Sequence, residues 1–321
     1  MKYHPHGSVL FVTLSIEEGL LLLSNPLCLA VLKSCLSRAQ HLYPVKICHF
    51  LTEATHLHMI LVVERPDDVP AFVRHFKTES AHLLNRILGR EKRTVWCDGY
   101  DSPIVLTPVR ALIAITYIYS NPAKDNLEDS VDEYPGFSSW QMFRRGDHKK
   151  RWKWIRRPAV TQLSSDRHTP LGYAREAERL LQESKQSHEL HVEPNAWMEA
   201  FKIFDPKEQQ RLNTAIVEHL RAIEERARKK RQLLKQKVLG RERLLRQRLD
   251  TQHRPKREGR RTCCISEDRK IRTGFIKFFK FLMSEARRIR RKWALGDFSE
   301  AYPPGLYPPS MVKLADPIGV W

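Results

Sequence analysis

Two apolar, strand-like runs separated by a short polar turn constrain the fold of this chain more than any other feature. Residues 44–51 and 56–63 are rich in β-branched and large apolar side chains, and the turn between them is built around Glu53, Ala54 and Thr55. Strands joined this tightly cannot be parallel, because a parallel connection needs a dozen or more residues. We therefore predict an antiparallel hairpin at the centre of the first part of the chain.

The second strand of this hairpin begins with two histidines, His56 and His58. Side chains two residues apart in a strand project from the same face of the sheet. Paired imidazoles on one face suit a divalent metal ion, which can polarise a phosphate. Histidines at this spacing are also common as ordinary polar residues of a strand, so the interpretation depends on the residues that accompany them.

Start signals for three helices surround the hairpin and complete the prediction of a first domain. They are Ser24 or Asn25 before Pro26, the acids Asp67 and Asp68, and Thr107 before Pro108. With short β-branched runs between them, the predicted order is strand, helix, strand, strand, helix, strand, helix. This order predicts an α+β domain with a ferredoxin-like antiparallel sheet and helices on one face.

Positive charge is concentrated in the second half of the chain. The 321 residues carry a formal net charge of +19, but residues 1–140 have a net charge of −2 and residues 141–321 a net charge of +21. So basic a chain makes nucleic acid the expected partner. We predict a first domain over 1–145, a basic tryptophan-containing linker over 146–175, and a basic, mostly α-helical extension with a proline-rich tail over 176–321.

The predicted linker opens with cations interleaved with tryptophans. We predict that this run contacts nucleic acid, because indoles can stack on unpaired bases while cations neutralise phosphates. The alternative is a solvated linker with no partner. The residues concerned are Arg144, Arg145, Lys149, Lys150, Arg151, Trp152, Lys153, Trp154, Arg156 and Arg157.

The cysteines and the hydropathy pattern predict a cytoplasmic, nucleoid-associated protein. The six cysteines show neither a Cys-x-x-Cys pair nor a zinc-binding spacing, so we expect reduced and mostly buried thiols. The first residues are polar and do not form a signal peptide. No uninterrupted apolar run approaches the roughly 18–20 residues that a bilayer span requires, so no membrane partner is expected.

A tyrosine and an asparagine lie one turn apart on the third predicted helix. Side chains four residues apart share a helix face, so Tyr117 and Asn121 should point the same way. A tyrosine oxygen can attack phosphorus and leave a covalent phosphotyrosine, and a carboxamide oxygen can complete a metal shell. The alternative is a tyrosine that only fills core or surface.

Four segments occur in the order and at roughly the separations found in REP-associated tyrosine transposases. They span residues 55–61, 95–100, 117–127 and 134–140. Over about residues 3–145 the chain therefore resembles this family of single-tyrosine HUH transposases, part of the insertion sequence 200-like superfamily. The chain departs from the family in the lead-in to the histidine pair, where Glu53-Ala54-Thr55 replaces the frequent Met-Pro-Asn.

The resemblance implies a metal-dependent endonuclease and strand transferase acting on single-stranded DNA. His56 and His58 match the histidine pair of the family, Tyr117 matches its nucleophile, and Asn121 matches its polar ligand. Family members use Mg²⁺ or Mn²⁺, cut beside hairpins of repetitive extragenic palindromes and form a 5′-phosphotyrosine. Single-stranded or hairpin DNA is the implied partner, and a homodimer remains open.

Two other interpretations of the same sequence stay open. The first is a catalytically silent, domesticated protein that keeps the fold and binds DNA without cutting it. The second is a replication or mobilisation initiator nuclease built on the same fold. The target DNA sequence would separate an initiator from a transposase.

Overall fold

The computed structural model describes residues 2–306 apart from residues 92, 250 and 252–261, and apart from the side chain of residue 18. The strands are Val9–Ser15 (β1), Lys46–Thr52 (β2), His56–Val62 (β3), Ile104–Val105 (β4), Lys149–Lys153 (β5), Ser187–His191 (β6) and Cys264–Ile265 (β7). The helices are Pro26–Leu42 (α1), Asp68–Ile87 (α2), Pro108–Lys124 (α3), Trp140–Arg145 (α4), Pro170–Glu183 (α5), Ala196–Ala200 (α6), Pro206–Leu233 (α7), Arg241–Leu245 (α8) and Arg269–Ala294 (α9).

The central sheet has the strand order β2-β3-β1-β4-β7. Its first four strands pair antiparallel, and with α1 and α2 they form the β-α-β-β-α-β arrangement of a ferredoxin-like fold. The predicted α+β class and the predicted hairpin of β2 and β3 are confirmed. The fifth strand, β7, lies parallel to β4, so the sheet is mixed and not purely antiparallel as predicted.

Helices cover both faces of this sheet, which corrects the expectation of one covered face. Leu57, Met59 and Leu61 of β3 face α1 and α2. Ile60 and Val62, which point the other way, pack with α3, α6 and α7. The physical reason is visible in β3 itself, since a strand buried on both faces is apolar at successive positions and does not alternate.

The third helix begins at a local signal and is then fixed by α7. The side chain of Thr107 accepts a hydrogen bond from the Arg110 amide, and Pro108 follows in the first turn. Ile216 and Leu220 of α7 are fully buried in the cluster that also contains α3. The predicted extension is therefore part of the core that supports α3.

The predicted linker over 146–175 is instead folded against the first domain. Strand β5 pairs antiparallel with β6 to form a two-stranded ribbon. The end of this ribbon is held by α1, because the side chain of Gln40 donates to the carbonyl of His191 and accepts from its amide, each at 2.8 Å. Ile155, Val160 and Leu163 then enter the same core cluster as α1 and α2.

The C-terminal part contains the long helix α9 and the start of the predicted proline-rich tail. Leu282, Ala286 and Ile289 form the buried side of α9, and Leu282 and Ala286 cluster with Leu306. The tail beyond residue 306 lies outside the described residues. Over the ranges given above, no helix is long and apolar enough to cross a membrane. The six cysteines are free thiols, and Cys28, Cys35, Cys48 and Cys264 are buried.

Candidate active site

The predicted histidine pair lies on the face of the sheet that α3 covers. His56 and His58 occupy the start of β3, opposite Ser15 and Thr13 of β1. The two imidazole rings are parallel, with centroids 5.9 Å apart and an interplanar angle of 2°. Phe11 of β1 stacks on the other side of His58, with centroids 5.5 Å apart. Three nearly parallel rings thus stand side by side on this surface of the sheet.

Each imidazole is held in place through its Nδ1 atom. Thr13 Oγ1 lies 3.0 Å from Nδ1 of His58, and Thr55 Oγ1 lies 2.7 Å from Nδ1 of His56. Anchoring through Nδ1 fixes the ring of a metal-binding histidine and assigns the metal to Nε2. Burial, together with the positive charges of His56 and Lys124, lowers the pKa of His58 to about 3. His58 is therefore neutral at physiological pH, as a metal ligand must be.

Tyr117 stands across this surface on α3. Its ring is nearly perpendicular to that of His58, with centroids 5.9 Å apart, and lies 6.1 Å from Phe11. The neighbouring Ile115 and Ile118 are fully buried, which fixes the helix, whereas Tyr117 is 41 % exposed. The structure thus brings the predicted nucleophile to the predicted histidine pair and leaves it open to solvent.

The second tyrosine of the same helix, Tyr119, belongs to the core. It is fully buried, and its hydroxyl lies 2.9 Å from Nδ1 of His49 and 2.8 Å from Oγ of Ser139. Burial raises the pKa of this phenol far above its ordinary value. A substrate phosphate cannot reach Tyr119, so Tyr117 is the accessible tyrosine of α3.

Asn121 provides the third predicted ligand and allows a test of metal fit. Its side chain is 1 % exposed, and its Nδ2 has no hydrogen-bond partner among the residues that the structure describes. Within that same part of the chain, no group of three or more His, Cys, Asp or Glu side chains could hold a metal. The predicted donors for a metal at this position remain His56, His58 and the Asn121 carboxamide oxygen. Two imidazoles and one amide oxygen form a donor set for a divalent metal ion, with further positions for oxygens of the substrate.

Sequence reasoning did not assign a role to Lys124, which lies one turn beyond Asn121. Its Nζ atom is 4.0 Å from the centroid of the Tyr117 ring. The signal was present, because residues at i, i+4 and i+7 share one face of a helix. The two later positions of that face are occupied by Asn121 and Lys124.

A carboxyl pair formed by Glu53 and Asp125 adjoins Tyr117. Burial, a hydrogen bond with Asp125 and the charge of Asp125 together raise the pKa of Glu53 well above its ordinary value. Burial, followed by the charges of Glu53 and Asp125, raises the pKa of Tyr117. The Asn121 side chain acts in the opposite direction but does not cancel this increase. The phenol is therefore protonated at neutral pH and needs nearby positive charge before it can act as a nucleophile.

Glu53→Gln should make the protein less sensitive to alkaline conditions. The raised pKa means that the folded protein binds this proton more tightly than the unfolded chain, so the stability that the carboxyl contributes is lost as pH rises through its folded pKa. We expect Tm at pH 8 to rise by about 2–4 °C, the equivalent of roughly 1 kcal/mol, and Tm at pH 5 to change less. Thermal melts at both pH values test this, with the exposed Glu133→Gln as a control. An equal shift at both pH values would contradict it.

The predicted DNA-binding cations lie mainly on β5 and beside it, and most of them point into solvent. Lys149, Lys150, Arg151, Lys153 and Arg156 are exposed on or just after the ribbon, and Arg144 and Arg145 are exposed at the end of α4. Arg157 differs, since its guanidinium forms an ion pair with Glu79 of α2. Lys149 also pairs with Glu189 of β6, with Nζ and Oε1 3.4 Å apart, but the exposed set as a whole keeps a surplus of the positive charge that a phosphate backbone requires.

The tryptophans of this run do not form open stacking surfaces. Trp152 is half-buried against Phe137, with centroids 5.7 Å apart, and Lys33 Nζ lies 4.8 Å from its ring centroid. Trp154 is half-buried between the guanidinium of Arg38, 4.5 Å away, and His188. The two indoles therefore support the ribbon from below. The predicted stacking of bases on these rings stays a prediction, and it would require their present partners to move.

Comparisons with known proteins give one family and one solved structure. Residues 22–121 match the profile of the family described as "Transposase IS200 like". A solved structure described as "Structure of the REP associates tyrosine transposase bound to a REP hairpin" matches with 20% sequence identity and a TM-score of 0.39, and the match covers 45% of this chain and 84% of that chain. A search of curated proteins found no match.

Proposed function

We propose that this protein, whose residues 22–121 match the profile described as "Transposase IS200 like", cuts and rejoins single-stranded DNA through a covalent 5′-phosphotyrosine on Tyr117. The observation that carries the proposal is the position of Tyr117, whose solvent-exposed ring stands 5.9 Å from that of His58. The family resemblance of the sequence assigned both residues to one centre, and the geometry supports that assignment. We also propose single-stranded or hairpin DNA as the substrate, on the basis of the family motifs.

The proposed reaction is an exchange of one ester bond for another. The Tyr117 oxygen forms a bond to phosphorus while the bond from phosphorus to the 3′ oxygen breaks. Water takes the phenol proton and supplies one to the departing 3′ oxygen, so protons balance. A later attack by a 3′ hydroxyl on the phosphotyrosine reverses the bond changes and joins the strands. The energy of the ester bond is conserved between the two steps.

Each residue of the centre has a separate task in this scheme. His56 and His58 would hold a divalent metal with rings that Thr55 and Thr13 orient, and the Asn121 oxygen would add a third donor. Mg²⁺ or Mn²⁺ bound there would supply the Lewis acidity that polarises the scissile phosphate. The ring of Tyr117 is held between Phe11, His58 and the ammonium of Lys124, so its oxygen is positioned before DNA arrives.

We further propose that the ribbon of β5 and β6 contacts the DNA backbone. Three of its exposed cations, Lys149, Arg151 and Lys153, share one face of a strand that pairs with β6 and is supported by α1, whereas Lys150 lies on the face of Trp152. Basic side chains on such a support neutralise phosphates without first becoming ordered. The positive charge of α7 is exposed along the same half of the chain, but α7 also holds α3 in the core, so it is more than a flexible clamp.

Replacing Lys149, Lys150, Arg151 and Lys153 together by glutamine should flatten the salt dependence of DNA binding. Each phosphate contact adds about 0.7 to the slope of log K against log salt for single strands and about 0.9 for duplex. The slope should therefore decrease by roughly 3 if all four contact phosphates. Fluorescence anisotropy with a labelled hairpin between about 50 and 200 mM salt measures this.

The matched control removes four cations from α7, at Arg226, Arg228, Lys229 and Lys230, which are exposed but lie on another element. An unchanged slope in the ribbon variant with a reduced slope in the α7 variant would move the DNA contact to α7. Deleting the extension would not answer the question, because Ile216 and Leu220 belong to the core.

Incubation with Mn²⁺ and labelled single-stranded hairpins tests the proposed function directly. The hairpins are taken from the repeats that flank the gene, and denaturing electrophoresis detects any protein–DNA adduct. We expect an adduct that carries a label placed on the 3′ side of the cut, because the 5′ phosphate of that fragment is the one joined to Tyr117. Binding without an adduct would favour the catalytically silent alternative. Before the experiment that alternative is the less favoured one, because His56, His58, Tyr117 and Asn121 are all present. Cutting only at an origin-like sequence would favour an initiator.

A further inference from the structure

The fold of α3, the helix that carries Tyr117, does not explain the direction in which the Lys124 side chain points. It is the last residue of α3, its side chain is exposed, and it turns back so that Nζ lies 4.0 Å from the centre of the Tyr117 ring. A cation at a helix C-terminus is favoured by the macrodipole wherever it points. The direction towards Tyr117 therefore requires a local explanation.

The backbone that carries Lys124 is held firmly on both sides. The Asp125 amide donates to the carbonyl of Asn121 at 2.9 Å, and the Leu127 amide donates to the carbonyl of Pro122 at 2.8 Å. Arg231 of α7, which is 5 % exposed, donates to the carbonyl of Ala123 at 2.5 Å. The end of α3 is thus held by its own backbone hydrogen bonds and by Arg231 of α7. These contacts fix the backbone from which the Lys124 side chain extends towards Tyr117.

The charges around Lys124 show what the ammonium can do there. Burial lowers its pKa, whereas Asp125 and Glu53 raise it, and the same two carboxyls raise the pKa of Tyr117. The centre therefore contains two acidic groups and a phenol that must lose a proton, and a substrate brings a further negative phosphate. Lys124 is the cation that contacts the ring of the attacking residue. Its charge opposes the repulsion that a phosphate would meet at this position.

We propose that Lys124 is a further catalytic residue of this centre, whose ammonium binds a non-bridging oxygen of the scissile phosphate and stabilises the charge that develops as the Tyr117 oxygen attacks. This inference rests on the function proposed above. In the step already written, the bond from Tyr117 to phosphorus forms and the bond to the 3′ oxygen breaks. Lys124 keeps its protons throughout, and it acts by electrostatic stabilisation of the transition state.

The first test is the rate of adduct formation in a single turnover with saturating hairpin. Lys124→Met removes the charge but keeps an unbranched side chain over the ring, and Lys124→Arg keeps the charge. We expect Lys124→Met to slow the reaction by about 10²–10³-fold, as for other preorganised donors to a developing anion. Lys124→Arg should recover at least a tenth of the wild-type rate. Lys33→Met is the matched control, because it removes a lysine whose ammonium lies 4.8 Å from the Trp152 ring, away from Tyr117.

The second test separates phosphate contact from a structural role in holding the tyrosine ring. Hairpin binding is measured in a Tyr117→Phe background without metal, with either a normal scissile phosphate or an uncharged methylphosphonate at that position. If Lys124 contacts this phosphate, the methylphosphonate weakens binding to the Lys124 protein but has little further effect on the Lys124→Met protein. Additive losses would overturn the proposed contact.

The outcomes distinguish this inference from the function on which it rests. If the wild-type protein forms no adduct with any hairpin, the proposed function fails and the Lys124 rate test has no reaction to measure. If the wild-type protein forms adducts and Lys124→Met reacts within about threefold of it, the proposed function stands and the role of Lys124 is overturned. Circular dichroism melts of both Lys124 variants confirm that they are folded.

Discussion

Tyr117→Phe should abolish covalent protein–DNA adducts while leaving hairpin binding nearly intact. The substitution removes one oxygen and keeps the ring that contacts Phe11, His58 and Lys124, so the fold and the DNA surface are unchanged. Removing a nucleophile typically lowers a rate by several orders of magnitude, and we expect at least a ~10⁴-fold loss of adduct. Denaturing electrophoresis of labelled hairpins measures the adduct, and anisotropy measures the binding.

The neighbouring tyrosine provides a strict control for this result. Tyr119→Phe removes a hydroxyl that contacts His49 and Ser139 in the core, and it should cost about 1 kcal/mol of stability. The folded Tyr119→Phe protein should still form adducts. Adducts that persist in Tyr117→Phe would mean that another residue is the nucleophile and that the proposed mechanism is wrong.

Replacing His56 and His58 together by alanine should remove metal-dependent cleavage. The two imidazoles are the proposed nitrogen donors of the metal site, and loss of a residue that merely orients a metal ligand already costs about 10–100-fold in affinity or activity. Loss of both ligands should exceed that range. Binding of Mn²⁺ measured by calorimetry should disappear along with cleavage, while hairpin binding measured without metal should remain.

A second pair of neighbouring histidines allows a matched comparison. His41 of α1 and His188 of β6 have ring centroids 4.6 Å apart. Replacing these two by alanine should leave Mn²⁺ binding unchanged. If the variant that lacks His56 and His58 binds Mn²⁺ and cleaves DNA as the wild type does, His56 and His58 are excluded as the metal site.

Local signals explain why much of the first domain could be predicted from sequence. Asn25 caps α1 by accepting a hydrogen bond from the Leu27 amide, and Thr107 caps α3, as the residue types indicated. The short turn around Glu53 forced an antiparallel hairpin. Strand β7 could not be found in this way, because Cys264 and Ile265 are only two residues and pair with a strand about 160 positions earlier.

The candidate site shows the same division between local and distant information. The spacing of His56 and His58 predicted a common face, and the spacing of Tyr117 and Asn121 predicted a common helix turn, so the sequence alone was enough to propose each pair. The same helical spacing also places Lys124 on the face of Tyr117 and Asn121, although no role was predicted for Lys124. Glu53 was out of reach, since its approach to Asp125 depends on how the hairpin turn meets the end of α3.

The tryptophans illustrate a pattern that composition alone cannot resolve. Aromatic residues among cations predict base stacking when the rings are open, but the same composition arises when cations of the protein itself cover the rings. Lys33 and Arg38 of α1 lie over Trp152 and Trp154, and these two cations are far from the tryptophans in the sequence. The alternation of cations and tryptophans therefore predicted a basic surface correctly. The role of the indoles depends on their tertiary contacts, which this pattern does not show.

The packing of α7 on α3 has a consequence for how the protein is synthesised. The apolar side of α3 and one face of the sheet are covered partly by Ile216 and Leu220, which leave the ribosome roughly 100 residues after Lys124. At about 5–20 residues per second, this interval is some 5–20 seconds. During it the nascent chain carries the histidines and the tyrosine but not the surface that holds them together. The proposed nuclease activity should therefore begin only after α7 has been made, which would delay cutting until the ribbon of β5 and β6, the proposed DNA contact, is also complete.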